Sequence, residues 1–191
     1  MLGLPQKLTV NNISYDIATD YKVALLIFEA FNDMELNESE KCIVMLKCLY
    51  KEFNAIPEKD YQEAIERAIW FLDGGKQYKT NVKTKKLMDW EQDEQFIFSA
   101  LNKVAGYEIR EKDVHWWTFL GFFNELNEGL LSTIIHIRDK KNNGKKLEKY
   151  EEDFYNNNRD LIEIKKKYSI EEQQEIEKLN DIFKWYKNGL F

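Results

Sequence analysis

Trp90-Glu-Gln-Asp93-Glu-Gln-Phe96-Ile97, Gly106-Tyr-Glu-Ile109, His115-Trp116-Trp117-Thr-Phe119 and Ile134-Ile-His136-Ile-Arg138 are the passages whose reading decides the fold. Trp90, Ile97, Ala100, Leu101 and Val104 recur at helical spacing. Asp89 and Gln92 resemble a helix start, and Gly106 ends the run. Asp113 is the expected cap of the next helix, which carries His115, Trp116, Trp117, Phe119, Leu120, Phe122, Phe123 and Leu126. A helix apolar around most of its circumference belongs at the centre of a core or in an interface. After a break at Asn127-Glu128-Gly129, Leu130, Leu131, Ile134, Ile135 and Arg138 continue helically.

Asp93 is the odd residue of this region. It falls three after Trp90 and four before Ile97, so it points with the apolar stripe. A buried carboxylate needs a hydrogen-bonding partner, and His115, Trp116, Trp117 and Arg138 are the candidates. A structural polar lock is the preferred reading. Asp93 and Arg138 also suit the first and last turns of their helices through the helix dipole. Trp116 and Trp117 are neighbours, 100° apart on a helix, and both face one core only if a second surface covers one of them. Trp90, Trp116 and Trp117 are therefore candidate anchors of a partner interface, with core packing as the plainer role.

Working outward, Leu8 to Ile17 reads as a short β-hairpin about Asn11-Asn12. Asp20 caps a helix with Val23, Ile27, Ala30, Phe31 and Met34 on one face. Asn37 with Glu40 opens a second helix, striped by Cys42, Leu46, Leu49 and Phe53. Pro57 opens a third, striped by Tyr61, Ile65, Ala68, Ile69 and Leu72 and stopped by Asp73-Gly74-Gly75. Lys76, Lys79, Lys83, Lys85 and Lys86 crowd residues 76–88, a solvated connection or a basic arm for an acidic partner. Past Asn142-Asn143-Gly144, Leu147, Phe154, Leu161 and Tyr168 fall seven apart, with Tyr150 and Ile164 three after the first and third, in a thin seam broken by Asn156-Asn157-Asn158. Ser169 and Glu172 cap a last helix striped by Ile176, Leu179, Phe183, Tyr186 and Leu190. Folding back on the core and projecting toward a partner are both open to these two helices.

The expected architecture is mostly α: a compact multi-helix domain over residues 1–141 with a short N-terminal β-hairpin, and two C-terminal amphipathic helices over 142–191. Apolar residues at 43% of 191 supply a core, and only two prolines and eight glycines interrupt it. A formal charge of -6 argues against nucleic acid as the main partner. No run approaches a membrane span, and Met1-Leu-Gly-Leu-Pro5 lacks the features of a signal peptide. Cys42 and Cys48 fit neither metal nor redox spacing and read as reduced cysteines in a cytosol.

No glycine-rich phosphate loop, activated nucleophile or zinc spacing stands out. His115, His136 and Asp93 are the one set that would serve as a metal or acid–base site if they converged. The expectation is a non-catalytic protein with no cofactor and no metal.

Trp90-x-x-Asp93-x-x-Phe96-Ile97, Gly106-Tyr107, His115-Trp116-Trp117-x-Phe119 and Arg138, with the early helix from Asp16 to Phe31, together resemble the bacteriophage gene-product-fifteen family. The resemblance runs over about residues 8–139. It implies a protein of phages and prophages of Gram-positive bacteria, encoded beside the tape-measure gene in the place of a tail assembly chaperone. It further implies a partner, the helical tape-measure protein, together with tail-tube subunits and self-association. The expected location is the host cytoplasm rather than the mature virion. A structural tail component, such as a completion or connector protein, is the alternative.

Overall fold

A computed structural model describes residues 3–76, 85–165 and 168–177. The hairpin pairs β1 (Lys7–Val10) with β2 (Ile13–Asp16) in antiparallel register, Leu8 opposite Tyr15 and Val10 opposite Ile13. Asn11 and Asn12 both take positive φ, 47° and 63°, the twist that lets a two-residue turn follow the strands. Leu8, Val10 and Tyr15 are buried and Ile13 points outward.

The chain leaving β2 is stitched to two distant places. The Lys51 N–H donates to Asp16 and the Ala18 N–H to Leu49, while the Trp116 N–H donates to Thr19 and the Tyr21 N–H to Val114. Residues 16–20 therefore join the end of one helix to the start of another, and α1 (Tyr21–Phe31) begins there with Asp20 accepting from the Lys22 N–H.

The order then runs α2 (Glu38–Leu49), two short 3-10 turns (Phe53–Ala55, Glu58–Asp60), α3 (Tyr61–Leu72), α4 (Glu94–Ala105), a 3-10 turn (Ile109–Glu111), α5 (Trp116–Asn124), α6 (Leu130–Asn142), α7 (Lys149–Asn157) and α8 (Arg159–Ile162). Residues 170–177 are helical again. The molecule is mostly α with an N-terminal hairpin, as its sequence pattern predicts. The Asn37–Glu40 capping box forms in full. Gly106 closes α4 in the left-handed conformation, and Ser169 and Glu172 exchange the bonds of a capping box.

The periodicity misplaces some positions. In α1 the buried residues are Tyr21, Ala24 and Ile27, and Met34 lies beyond the helix and exposed. In α3 Ala64, Ala68, Phe71 and Leu72 face inward and Ile69 outward. Pro57 precedes a 3-10 turn, so α3 itself starts at Tyr61. The cap of α5 is His115, whose Nδ1 accepts from the Trp117 N–H at 3.0 Å, while Asp113 is solvent-exposed and pairs with Lys22. The seven-residue seam forms no continuous helix, since α7 is nine residues and α8 four. The buried side chains there are Glu151 and Ile162, neither of them on the seam. Lys79, Lys83, Leu179, Phe183, Tyr186 and Leu190 lie outside the described residues.

α5 runs through the centre of one hydrophobic cluster. Trp116 stacks on Phe119, and Phe119 on Tyr21, the latter pair with ring centroids 4.5 Å apart. Such offset aromatic contacts add roughly 0.5–1.5 kcal/mol each beyond the area they bury.

Candidate functional site

Three structural features collect the residues singled out in the sequence. The first is an ion pair. Asp93 is 0% and Arg138 4% exposed, and Arg138 reaches Asp93 through Nη1 to Oδ2 at 2.5 Å and Nη2 to Oδ1 at 2.9 Å. Asp93 Oδ2 also accepts from the Asp89 N–H at 2.9 Å. The remaining donors of Arg138 go to backbone carbonyls: Nε to Ile162, Nη1 to Leu87 and Nη2 to Leu161. A guanidinium has five N–H groups, and here all five are used. The pair thereby fastens four stretches together: the Leu87–Asp89 approach, the start of α4, α6 and the end of α8. Asp93 does not cap α4, because it turns inward to Arg138. Asp89 instead accepts from the Glu91 and Gln92 N–H groups. Gln92 adds a bond to the Glu163 carbonyl and accepts from the Lys165 N–H.

The second feature is the tryptophan pair. Trp116 Nε1 donates to the Leu72 carbonyl and Trp117 Nε1 to the Phe71 carbonyl, each at 2.8 Å. The last carbonyls of a helix have no partner within it, so the two indoles cap the end of α3. Trp116 is buried while Trp117 is half-buried, edge-on to Trp70 and beside Gly75. A Cβ on Gly75 would lie 2.8 Å from Trp117 Cη2, and Gly75 holds φ at +80°. The glycine therefore lets the indole close over the helix end. The two adjacent tryptophans share one target by reaching successive carbonyls, a use of Trp that adjacency alone does not reveal.

The histidines go elsewhere. His115 has Nε2 2.9 Å from the Pro5 carbonyl and Nδ1 on the Trp117 N–H, which assigns the donor proton to Nε2. His136 lies 3.1 Å from Glu151. His115, His136 and Asp93 thus do not converge, and among the described residues no group of three or more His, Cys, Asp or Glu is placed to hold a metal ion. Glu151 forms a second buried polar centre that sequence reading missed. It is 1% exposed, accepts from Lys140 at 2.7 and 2.8 Å and from the Glu148 N–H at 2.6 Å. The Lys140 ammonium, then the Glu148 N–H, hold its carboxyl below the usual range. Glu148 with Glu151 is an acidic version of the capping-box spacing, the one signal that pointed to it.

The third feature is a groove. It runs along the outer face of α1, from Tyr21 and Phe98 past Trp90 to Met34, Val44 and Ile170. Two adjoining cavities of about 1100 and 530 Å³ share Leu26, Glu29, Asn32, Asp89 and Glu91. Leu26 is 52%, Met34 58% and Ile170 57% exposed. Trp90, half-buried against Phe119 and Phe123, links this groove to the core, and Asp93 lies three residues on. Of the sequence-predicted residues only Trp90 lines the groove. Asp93, Arg138, Trp116 and Trp117 build the frame behind it, and the groove's own apolar residues were not among the candidates.

Among the described residues no helix is long and apolar enough to cross a membrane. Comparison with curated proteins and with solved structures gave no match. The family profile described as "Bacteriophage Gp15 protein" matches residues 3–170. That span holds the hairpin, the Asp93–Arg138 pair, the indole caps, the groove lining except Gln173, and α7–α8, and so extends well past Arg138. The chain belongs to the bacteriophage Gp15 protein family.

Proposed function

We propose that this phage protein is a non-catalytic tail assembly chaperone. It binds the tape-measure protein and assists tail-tube subunits to polymerise around it, acting in the host cytoplasm and leaving before the particle is complete. The observation that carries the reading is the open groove on α1. Leu26, Met34 and Ile170 present an apolar strip that the described chain leaves uncovered, walled by half-buried aromatic and aliphatic residues. Amphipathic helices bind proteins in grooves of this kind, through apolar anchors three and four residues apart. A long helical client offers many such faces, each prone to aggregation while bare. The rigid frame of indole caps and the Asp93–Arg138 pair keeps the groove walls fixed, which lowers the ordering cost of binding.

Co-expression with the tape-measure protein encoded nearby tests the reading. Tape-measure protein should be insoluble alone and soluble with the chain, and the two should co-purify. Tape-measure protein that stays insoluble, with this chain found at fixed stoichiometry in purified tails, would replace the chaperone with a structural tail component.

A further inference from the structure

The rim of the α1 groove is acidic on both sides. Glu29 and Asp33 stand on the α1 side and Glu94 on the α4 side, and no described cation lies within ion-pair distance of them, although Arg110 attracts Glu94 from farther off and Lys165 lines the groove at its Ile170 end. The cations at the far end are already engaged, Lys22 with Asp113 and Arg110 with Glu108. The Arg110 side chain, bonded to Glu108, lowers that carboxyl to about 2, so the pair stays ionised at neutral pH. Between the acidic edges lies the apolar strip of Leu26, Met34 and Ile170. The eleven residues of α1 give a floor of about 16 Å, three turns of a docked helix.

We infer that this groove is a docking site for an amphipathic helix whose apolar face is flanked by Lys or Arg. The partner class rests on the chaperone reading; the groove and its charge preference do not. An apolar strip alone accepts any amphipathic helix. The paired rims add selection, because flanking cations meet Glu29 and Glu94 while flanking acids meet like charge. Rim charges act on association and salt dependence more than on the buried contact, so the preference fades with ionic strength while the apolar term persists.

The test uses the full chain and two synthetic helical peptides of about 18 residues, long enough to be helical. One has a Leu face flanked by Lys, the other the same Leu face flanked by Glu, and each is titrated calorimetrically at low and at about 0.15 M salt. The Leu–Lys peptide should bind about tenfold tighter or more at low salt, with a smaller ratio at the higher salt. Leu26→Asp should weaken it about tenfold although it adds an anion, whereas general attraction to an acidic protein would strengthen it. Ile13→Asp, exposed on the hairpin and outside the groove, should bind as the native chain does. Glu29→Lys with Glu94→Lys should reverse the preference between the peptides.

Equal binding of the two peptides, or native-like binding by Leu26→Asp, overturns the inference. So does a dimer of the chain alone that Leu26→Asp dissolves, because a second copy would then fill the groove. Co-purification separates the two claims. A tape-measure complex that survives Leu26→Asp removes the groove and leaves the chaperone. Peptide selection without any tape-measure complex removes the chaperone and leaves the groove.

Discussion

Arg138 and Asp93 lie 45 residues apart and meet in a two-pronged ion pair sealed from solvent, with every guanidinium N–H bonded. Burying two charges is costly, and their attraction compensates only when geometry is good and the leftover donors are satisfied. Both conditions hold here. The cost of breaking the pair therefore exceeds its net worth. Asp93→Ala should destabilise by about 3–5 kcal/mol, because it leaves a buried cation without its anion. Arg138→Lys should fall in a similar range, since a point ammonium cannot serve five fixed directions. Asp93→Leu combined with Arg138→Met should cost clearly less than the sum of the single changes. Urea unfolding of these variants, with Asp93→Leu and Arg138→Met also measured singly, checks the order, and strict additivity of those two would show that the pair is not coupled.

Two of the three carbonyls that receive Arg138 come from Leu161 and Ile162, and Lys140 rests on Glu151. Removal of residues 145–191 should therefore leave two guanidinium and two ammonium hydrogen bonds unmade and take away α8, which packs on α6. The truncated chain is expected to unfold at markedly lower denaturant and with a broader transition. A native-like midpoint would make everything beyond residue 144 dispensable to the core.

Acid should loosen the same end of the molecule. The Lys140 side chain and the Glu148 N–H hold the Glu151 carboxyl below its unfolded value of 4.5. The unfolded chain then binds the proton first, so the stabilisation is complete above pH 4.5 and is lost as pH falls through the lower folded value. Lys140, raised above 10.5 by Glu151, points the same way at the other extreme, its share disappearing only in strong base. Glu151→Gln should flatten the acid limb of stability against pH while lowering stability at neutrality. An unchanged acid slope would exclude Glu151 as a source of it.

Glycines 75 and 144 supply a matched pair for the indole caps. Both have positive φ, +80° and +65°, but a Cβ meets Trp117 at the first and open space at the second. Gly144→Ala should cost the left-handed conformation alone, about 1–2 kcal/mol. Gly75→Ala should cost more, with the Trp117 fluorescence environment altered, and equal losses would mean that Trp117 does not close over the turn. Trp116→Ala should cost about 3–5 kcal/mol and the half-buried Trp117→Ala less.

Local signals were legible where the physics is local. Asn11-Asn12, Asp20, the Asn37–Glu40 box, Gly106 and the Ser169–Glu172 box are each written in a few adjacent residues, and each forms. Asp93 was legible as a buried acid because its spacing put it on the stripe, and Arg138 stood among its four candidate partners. The choice among those partners depends on how α4 and α6 pack, which no spacing contains. His115 displaced Asp113 as the α5 cap because Trp116 is held by the Thr19 carbonyl, a contact from the far end of the chain. The groove was illegible for the same reason. Leu26 and Met34 are ordinary apolar residues in sequence and become a strip only because the described residues leave the outer face of α1 open. The seven-residue seam is broken at Asn158, where its asparagines lead one to expect it, and with second apolar positions only at Tyr150 and Ile164 it lacks the surface to hold a longer helix on either side.

Hydrogen exchange on the chain alone and on its complex with a tape-measure fragment tests most directly whether a helical client sits on α1. Slowed exchange in residues 21–36 and 89–98 on binding, with the hairpin unchanged, is the expected result. Protection confined to other elements, or an exchange pattern identical with and without the fragment, would contradict it.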